Sequence, residues 1–172
     1  MLVVVNAGPV IWLAKIGRLD LLSKLYGQVF IPRQVYVECV SKGLEQGFRD
    51  AFIIKEACER GWIKVVELNE TQSALRRRIT LHLEELDAGE AEAIVYAKDR
   101  NADLILLDDS TARSFAESWG LVSKGTLYVL LRAHRKGLLN IDETRGLVYE
   151  LVEKGFRIDS RLFAKLIKGL EK

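Results

Sequence analysis

The chain has 172 residues, of which 49% are hydrophobic and 29% charged, with a net charge of +2 at pH 7. This composition excludes a disordered protein, and the length suits one domain with a sizeable core. The sequence has no apolar run of the roughly 18 to 20 residues that cross a bilayer and no signal peptide, so we expect a cytoplasmic protein with no membrane partner.

Short apolar runs alternate with helical periodicity in the first half of the chain. Three runs predict strands: LVVV at 2–5, QVFI at 28–31 and WIKVVEL at 62–68. Apolar spacing predicts helices in four places: from residue 10 with a break at Gly17, after Pro32, at 48–60 and at 71–83. The sequence therefore predicts α/β alternation.

The second half continues the pattern and ends in helices. DAGEAEAIVYAKDR at 87–100 predicts a well-capped helix, and ADLILLDD at 102–109 predicts a fourth buried strand that ends in two acids. Four further helices are predicted, at 111–120, 127–139, 143–155 and 159–172. We expect a parallel sheet covered by helices on both faces. Residues 1–140 would form the domain, and residues 141–172 a helical extension packed on it.

Oxygen-bearing side chains fall where the predicted strands end or the adjoining helices begin: Asn6, Glu38, Glu90, Asp108 and Asp109. Ligands of open α/β sheets bind outside the carboxyl ends of the strands, so these side chains can meet at one edge. Clustered carboxylates repel one another unless a cation lies between them. A hard ion such as Mg²⁺ or Mn²⁺ suits oxygen ligands and can activate water for phosphodiester hydrolysis.

Structural roles would explain most of these residues as well. D-A-G-E has the spacing of a capping box, and Asp109 and Asn6 stand where they could cap helices. Glu38 could be an exposed helix residue. Asp108 is the strongest functional candidate, because it directly ends an apolar strand, where an unpaired charge is costly.

The sequence resembles the PIN-like family DUF3368, which is related to the toxin ribonucleases of VapBC toxin–antitoxin systems. The resemblance lies in four segments: VVVNAGPVIWLAKIGRLDLL, VFIPRQVYVECV, LDAGEAEAIVYAKDRNADLILLDDSTAR and GTLYVLLRAHRKGLL. It implies a three-layer α/β/α PIN-like fold with a central, mostly parallel sheet. In active relatives it also implies RNA cleavage that depends on Mg²⁺ or Mn²⁺.

The resemblance assigns roles to individual residues. Glu38, Glu90 and Asp108 match acids of the family and would be catalytic and metal-binding, and Asp109 would be a further metal ligand. Asn6 falls where PIN nucleases hold an Asp in the first strand. An amide oxygen can coordinate the ion without adding charge, so metal affinity should weaken. Two possibilities remain open: a working site of altered composition, or an inactive RNA-binding or protein-interaction module.

Basic residues suggest contacts with RNA. Residues 124–172 hold 11 Lys and Arg against 6 Asp and Glu, whereas residues 1–123 hold 15 against 18. The candidates for phosphate contacts are Arg113, Lys15 and Lys124, although Arg113 could instead pair with Glu117. An antitoxin protein and a second copy of the chain are further expected partners. A nucleotide-binding module is disfavoured, since N-A-G-P lacks the phosphate-loop patterns.

Overall fold

A parallel sheet forms the centre of the computed structural model, which describes residues 1–170. Within these residues the sheet has five strands in the order β3-β2-β1-β4-β5, and all neighbouring pairs are parallel. The strands are β1 (Val3–Val5), β2 (Val29–Pro32), β3 (Ile63–Val66), β4 (Leu104–Leu106) and β5 (Ser123–Lys124). Strands β1 and β4 are wholly buried, which explains their unbroken apolar sequences.

Helices separate the strands along the chain and complete a three-layer α/β/α fold. They are α1 (Ala7–Lys15), α2 (Asp20–Tyr26), α3 (Arg33–Tyr36), α4 (Lys42–Glu45), α5 (Arg49–Glu59), α6 (Glu70–His82), α7 (Ala88–Asp99), α8 (Ser110–Ser118), α9 (Thr126–Arg135), α10 (Ile141–Glu153) and α11 (Ser160–Leu170). A π-helical turn, Val37–Ser41, joins α3 to α4. The predicted α/β fold with a parallel sheet is confirmed.

The strand order places a crevice at the carboxyl ends of β1 and β4. Strand β1 has β2 on one side, with Val4 opposite Phe30, and β4 on the other, with Val4 opposite Ile105. The connections after β1 and β4 therefore leave the sheet in opposite directions, the arrangement that opens a ligand site in α/β sheets. Asn6 follows β1 directly, and Asp108 lies two residues beyond β4.

Helix α7 packs over the middle of the sheet. Its apolar residues, including Ala91, Ile94 and Val95, share a buried cluster with Val4 of β1 and Ile105 of β4. A helix that leads into a parallel strand runs antiparallel to it, so α7 begins at the carboxyl edge of the sheet. This packing brings Glu90, in the first turn of α7, to the edge where β1 and β4 end.

The chain divides into two compact units, residues 1–126 and residues 127–172. The first contains the sheet and helices α1 to α8, and the second contains α10 and α11. Within the second unit Leu166 and Leu170 are buried, and the rings of Tyr149 and Phe163 meet edge to face at 5.7 Å. The predicted domain limit at residue 140 and the packing of the extension on the domain stay predictions, and residues 171 and 172 lie outside the described chain.

The predicted break at Gly17 is confirmed, since Gly17, whose φ is 67°, lies between α1 and α2. Other elements differ from the sequence prediction. Strand β5 was not predicted, because its two residues, Ser123 and Lys124, carry no apolar pattern. The π-helical turn was also not predicted, since apolar spacing does not distinguish one wide turn from an α-helical turn. No helix within residues 1–170 is long and apolar enough to span a membrane.

Candidate active site

Asn6 extends the pairing of β1 with β4 and leaves its side-chain oxygen without a partner. Its main-chain N–H donates to Leu106 O at 3.0 Å. The residue occupies the N-cap position of α1, yet among the described residues its side chain makes no capping hydrogen bond. Its Oδ1 is buried and finds no hydrogen-bond partner within residues 1–170. Helix capping therefore does not explain this side chain. Its burial without a partner costs about 1–3 kcal/mol.

Asp108 is tied to Thr126, the first residue of α9. Thr126 N donates to Oδ1 at 2.7 Å, and Thr126 Oγ1 donates to Oδ2 at 2.7 Å. Burial raises the pKa of the Asp108 carboxyl above its usual range, although both bonds from Thr126 and the charge of Arg113 act in the opposite direction. Asp108 therefore joins the end of β4 to Thr126, the last residue of the first unit, in addition to lying at the candidate site.

Two glycines enclose the Asp108 carboxylate. A Cβ atom on Gly8 would stand 3.0 Å from Oδ2, and one on Gly125 would stand 2.9 Å from Oδ1. Real Cβ atoms hardly ever come closer than 3.0 Å, so a larger residue at either position would displace the carboxylate. Both glycines immediately follow the strand-end segments that carry the candidate residues, and sequence reasoning did not single them out.

Glu90 forms the capping box that its spacing predicted. Glu90 N donates to Asp87 Oδ1 at 2.7 Å, and Asp87 N donates to Glu90 Oε2 at 3.1 Å. The side chain is only 7% exposed, and its burial raises the pKa of Glu90 to about 7, with the charges of Asp87, Asp109 and Glu38 adding to the rise. The structural role is thus confirmed, and Glu90 also has a carboxyl that titrates near neutral pH.

Glu38 projects from the π-helical turn towards the start of α7. A Cβ atom on Gly89 would stand 2.8 Å from Oε1 of Glu38 and 2.9 Å from Oε2. Gln34 Nε2 donates to Oε1 at 3.3 Å. Burial raises the pKa of Glu38, as do the charges of Asp87 and Glu92, against the lowering effect of Gln34 and Lys42. Glu38 is therefore a half-buried acid beside Glu90 and not an exposed helix residue.

Gln34 and Lys42 complete the surroundings of Glu38, and sequence reasoning missed both. Besides its side-chain bond to Glu38, Gln34 donates its main-chain N–H to Glu92 Oε2 of α7 at 3.0 Å. Gln34 thus fixes the start of α3 against α7 and orients Glu38 between them. Its signal in the sequence was the spacing of four residues to Glu38, which places both on one helical face.

Asp109 and Arg113 shape the turn between β4 and α8. Asp109 Oδ1 accepts a hydrogen bond from Ala112 N at 2.8 Å and caps α8, as its structural explanation predicted. Arg113 Nη1 donates to the main-chain oxygens of Leu107 and Asp108. Within residues 1–170 no ion pair joins Arg113 to Glu117, so that alternative is wrong. A contact of Arg113 with a phosphate stays a prediction.

The other two predicted RNA-binding residues are exposed lysines. The ammonium of Lys15 lies 4.8 Å from the centre of the Trp12 ring, near the end of α1. Lys124 ends β5 and precedes Gly125, so it lies at the edge of the sheet that carries Asp108. Their contacts with RNA stay predictions.

The candidate residues meet at the carboxyl edge of the sheet in two groups. Glu38 lies against the start of α7 beside Glu90, and Asp108 lies against Gly8, two residues after Asn6. An unpartnered amide oxygen and acids whose pKa values are raised form a donor set that fits a hard divalent cation. Within residues 1–170, however, no three His, Cys, Asp or Glu side chains lie close enough together to hold a metal ion.

Comparisons with known proteins agree with this fold. The model of the family DUF3368, described as a PIN domain, matches residues 2–172. A PilT N-terminus domain protein from the hyperthermophilic archaeon Sulfolobus solfataricus P2 is 19% identical, with a TM-score of 0.50 over 77% of this chain and 93% of that chain. VapBC-1 from nontypeable Haemophilus influenzae is 13% identical, with a TM-score of 0.53 over 73% of this chain and 98% of that chain. No curated protein matches.

Proposed function

The chain belongs to the DUF3368 family of PIN domains, and on this basis we propose that it is a metal-dependent ribonuclease. The observation that supports the proposal most strongly is the buried Oδ1 of Asn6, which has no hydrogen-bond partner within residues 1–170. This oxygen lies where β1 ends beside β4, the position at which α/β sheets bind ligands. A cation there would provide a partner for this oxygen, which has none within residues 1–170.

The proposed metal ligands are Asn6, Glu38, Glu90, Asp108 and Asp109. When bound, Mg²⁺ or Mn²⁺ would polarise a phosphoryl oxygen and activate a water for attack on the phosphodiester. Asp108, fixed by Thr126, would hold its carboxylate at the end of β4. Glu38 and Glu90 would offer a second pair of carboxylates from two elements that pack together, and Arg113, Lys15 and Lys124 would contact the phosphates of the RNA.

The likeness to VapBC-1 supports a finer proposal, in which the chain is the toxin of a toxin–antitoxin pair. An antitoxin protein would then be its partner. A homodimer and a cytoplasmic location belong to the same proposal. The neighbouring reading frame tests it, because a small antitoxin-like protein encoded there would be expected.

Cleavage of a panel of RNAs in Mn²⁺ or Mg²⁺ tests the ribonuclease proposal. Glu90→Gln is the sharpest variant, since Gln also serves at this position of a capping box and only the charge is lost. Glu143→Gln is its matched control, because Glu143 completes the capping box of α10 with Asn140. We expect Glu90→Gln to lower the cleavage rate roughly tenfold or more, as loss of a metal-site carboxylate does.

Glu143→Gln should cleave at the wild-type rate. The variant Asp108→Asn should also lose cleavage, although its bonds to Thr126 make it less selective for chemistry than Glu90→Gln. Equal cleavage by wild type, Glu90→Gln and Asp108→Asn would contradict the assigned site.

A second candidate function is a non-enzymatic PIN module that binds RNA or a protein. Two observations favour it: position 6 carries an uncharged side chain, and within residues 1–170 no three acids converge on one point. This candidate predicts no uptake of millimolar Mn²⁺ by calorimetry and no cleavage of any RNA. Mn²⁺ binding that is weakened by Glu90→Gln would reject it.

A further inference from the structure

A cleft of about 290 Å³ opens beside Glu38, in the unit of residues 1–126. Helix α1 forms one wall, and the π-helical turn, α4 and the start of α5 form the other. Its lining includes Lys15, Lys42, Gln46 and Phe48 in addition to Glu38. The volume lies near the lower limit for small-molecule sites, about 300 Å³, and suits a single nucleotide-sized group.

Phe48 presents an exposed aromatic ring on a fixed backbone. The side chain is 51% exposed and lines the cleft. Its main-chain N–H donates to Gly43 O at 2.9 Å, and a Cβ atom on Gly43 would stand 2.7 Å from the Cβ of Ala51. This close packing holds the backbone of the loop between α4 and α5 in place, so Phe48 is presented from a fixed position.

Two lysines line the same cleft as Phe48 and Glu38. Lys15 and Lys42 come from opposite walls of the cleft and are both exposed. The charge of Lys42 reaches the carboxyl of Glu38, whose pKa it lowers against the larger effect of burial. The cleft thus offers two cations and an aromatic face beside two carboxylates, those of Glu38 and Asp50.

We infer that this cleft binds one nucleotide of a single-stranded RNA, next to the nucleotide whose phosphate is cleaved. The base stacks on Phe48, and Lys15 and Lys42 contact the backbone phosphates. A single strand is required, because a base in a duplex has both faces covered by its neighbours and none free for Phe48. The choice of RNA rests on the proposed function, whereas the cleft and its chemistry do not.

The test measures binding without cleavage. The probe is a fluorescein-labelled 2′-O-methyl hexauridylate, titrated with the full chain in EDTA and followed by fluorescence anisotropy. We expect Phe48→Ala to weaken binding about tenfold, as the loss of one base stack does. Phe48→Trp should keep wild-type affinity, since an indole ring also stacks. Phe52→Ala is the matched control, because Phe52 is 58% exposed in the adjoining helix and is not part of the cleft.

The two lysines are tested through salt dependence. Lys15→Ala and Lys42→Ala should each lower the slope of log affinity against log salt by about 0.7, the value for one phosphate contact with a single strand. Lys55→Ala, which alters an exposed lysine of α5 outside the cleft, should leave the slope unchanged. Each variant is compared with wild type by thermal unfolding, so that loss of fold is recognised.

Equal weakening by Phe48→Ala and Phe52→Ala would overturn the inference, because the loss of affinity would then not be specific to the cleft. Equal affinity for the single strand and for its duplex would also overturn it. The failure of the proposed function gives a different result: the probe binds through Phe48, and no RNA is cleaved with Mn²⁺.

Discussion

Asp108 and Thr126 are joined by two hydrogen bonds of 2.7 Å each, although 18 residues separate them in the chain. The bonds use both carboxylate oxygens and both donors of the threonine. Thr126 is fully buried, so water cannot replace a lost donor. The candidate acid at the end of β4 therefore depends on the first residue of α9 for its orientation.

Thr126→Val should be considerably less stable than Thr126→Ser. Valine has the size of threonine and removes the hydroxyl donor to a carboxylate, which costs about 1.5–3 kcal/mol. Serine keeps the donor and loses one methyl group, which costs about 1 kcal/mol. Urea denaturation of both variants measures the difference, and a valine variant as stable as the serine variant would show that the Oγ1 bond contributes no more than the methyl group does.

Gly89→Ala should displace the Glu38 carboxylate and destabilise the protein by about 1–3 kcal/mol, because the added Cβ overlaps both carboxylate oxygens. Gly146→Ala is the control, since no described atom lies within 4 Å of the Cβ position there and the residue lies inside α10. That change should stabilise by about 0.5–1 kcal/mol. Chemical denaturation measures the stability of both variants, and calorimetry measures their affinity for Mn²⁺.

A shorter acid at position 38 should relieve the overlap. The double variant Gly89→Ala with Glu38→Asp is expected to recover most of the stability that Gly89→Ala loses, because aspartate withdraws the carboxylate from the new methyl group. If the double variant is no more stable than Gly89→Ala, the contact between Glu38 and residue 89 is not the cause of the loss.

Glu90 makes stability depend on pH. Its pKa is about 7 in the folded chain against a reference of 4.5, so between these values the folded state holds a proton that the unfolded state has released. The free energy of unfolding should therefore fall as pH rises from about 4.5 to about 7. Glu90→Gln should flatten this dependence and be at least as stable as wild type at pH 8.

Urea midpoints between pH 5 and pH 8 measure the effect, with Glu143→Gln as the control that should keep the wild-type dependence. Glu143 occupies the same position of a capping box, and its loop is exposed. A Glu90→Gln variant with the full wild-type dependence would place the titrating group elsewhere.

Asn6→Asp should increase Mn²⁺ affinity and lower the stability of the metal-free protein. A buried carboxylate at the end of β1 adds attraction for the cation, and without the cation it adds a desolvation cost. Asn140→Asp is the control, since Asn140 caps α10 and aspartate caps equally well. Calorimetry measures the Mn²⁺ affinity, and thermal unfolding with and without Mn²⁺ measures the stability. Unchanged Mn²⁺ affinity in Asn6→Asp would place residue 6 outside the metal site.

Apolar patterns predicted most of the fold because buried strands and amphipathic helices leave periodic signatures. The runs around Val4 and Ile105 read as buried strands, and both are. The two residues of β5 left no such signature, since their pairing depends on β4 and not on their own sequence. The π-helical turn was not predicted because apolar spacing does not distinguish one wide turn from an α-helical turn.

For the candidate site, the sequence indicated which residues lie at the same edge of the sheet. Strand ends and helix starts are visible in the sequence, so Asn6, Glu38, Glu90 and Asp108 could be grouped. The bonds that hold them were not predicted, because Thr126 carries no distinctive pattern and the only signal of Gln34 is its spacing of four residues from Glu38. The unused oxygen of Asn6 is likewise a property of the folded chain, since in sequence the residue reads as a helix cap.

The order of the sheet also sets when the site can form during protein synthesis. Strand β1 is made first, yet its partner β4 follows about a hundred residues later, with Val5 opposite Leu106. Asp108 then needs Thr126 before its carboxylate is held. A nascent chain thus carries no assembled site until residue 126 has left the ribosome, so any activity of the protein begins only after most of it has been translated.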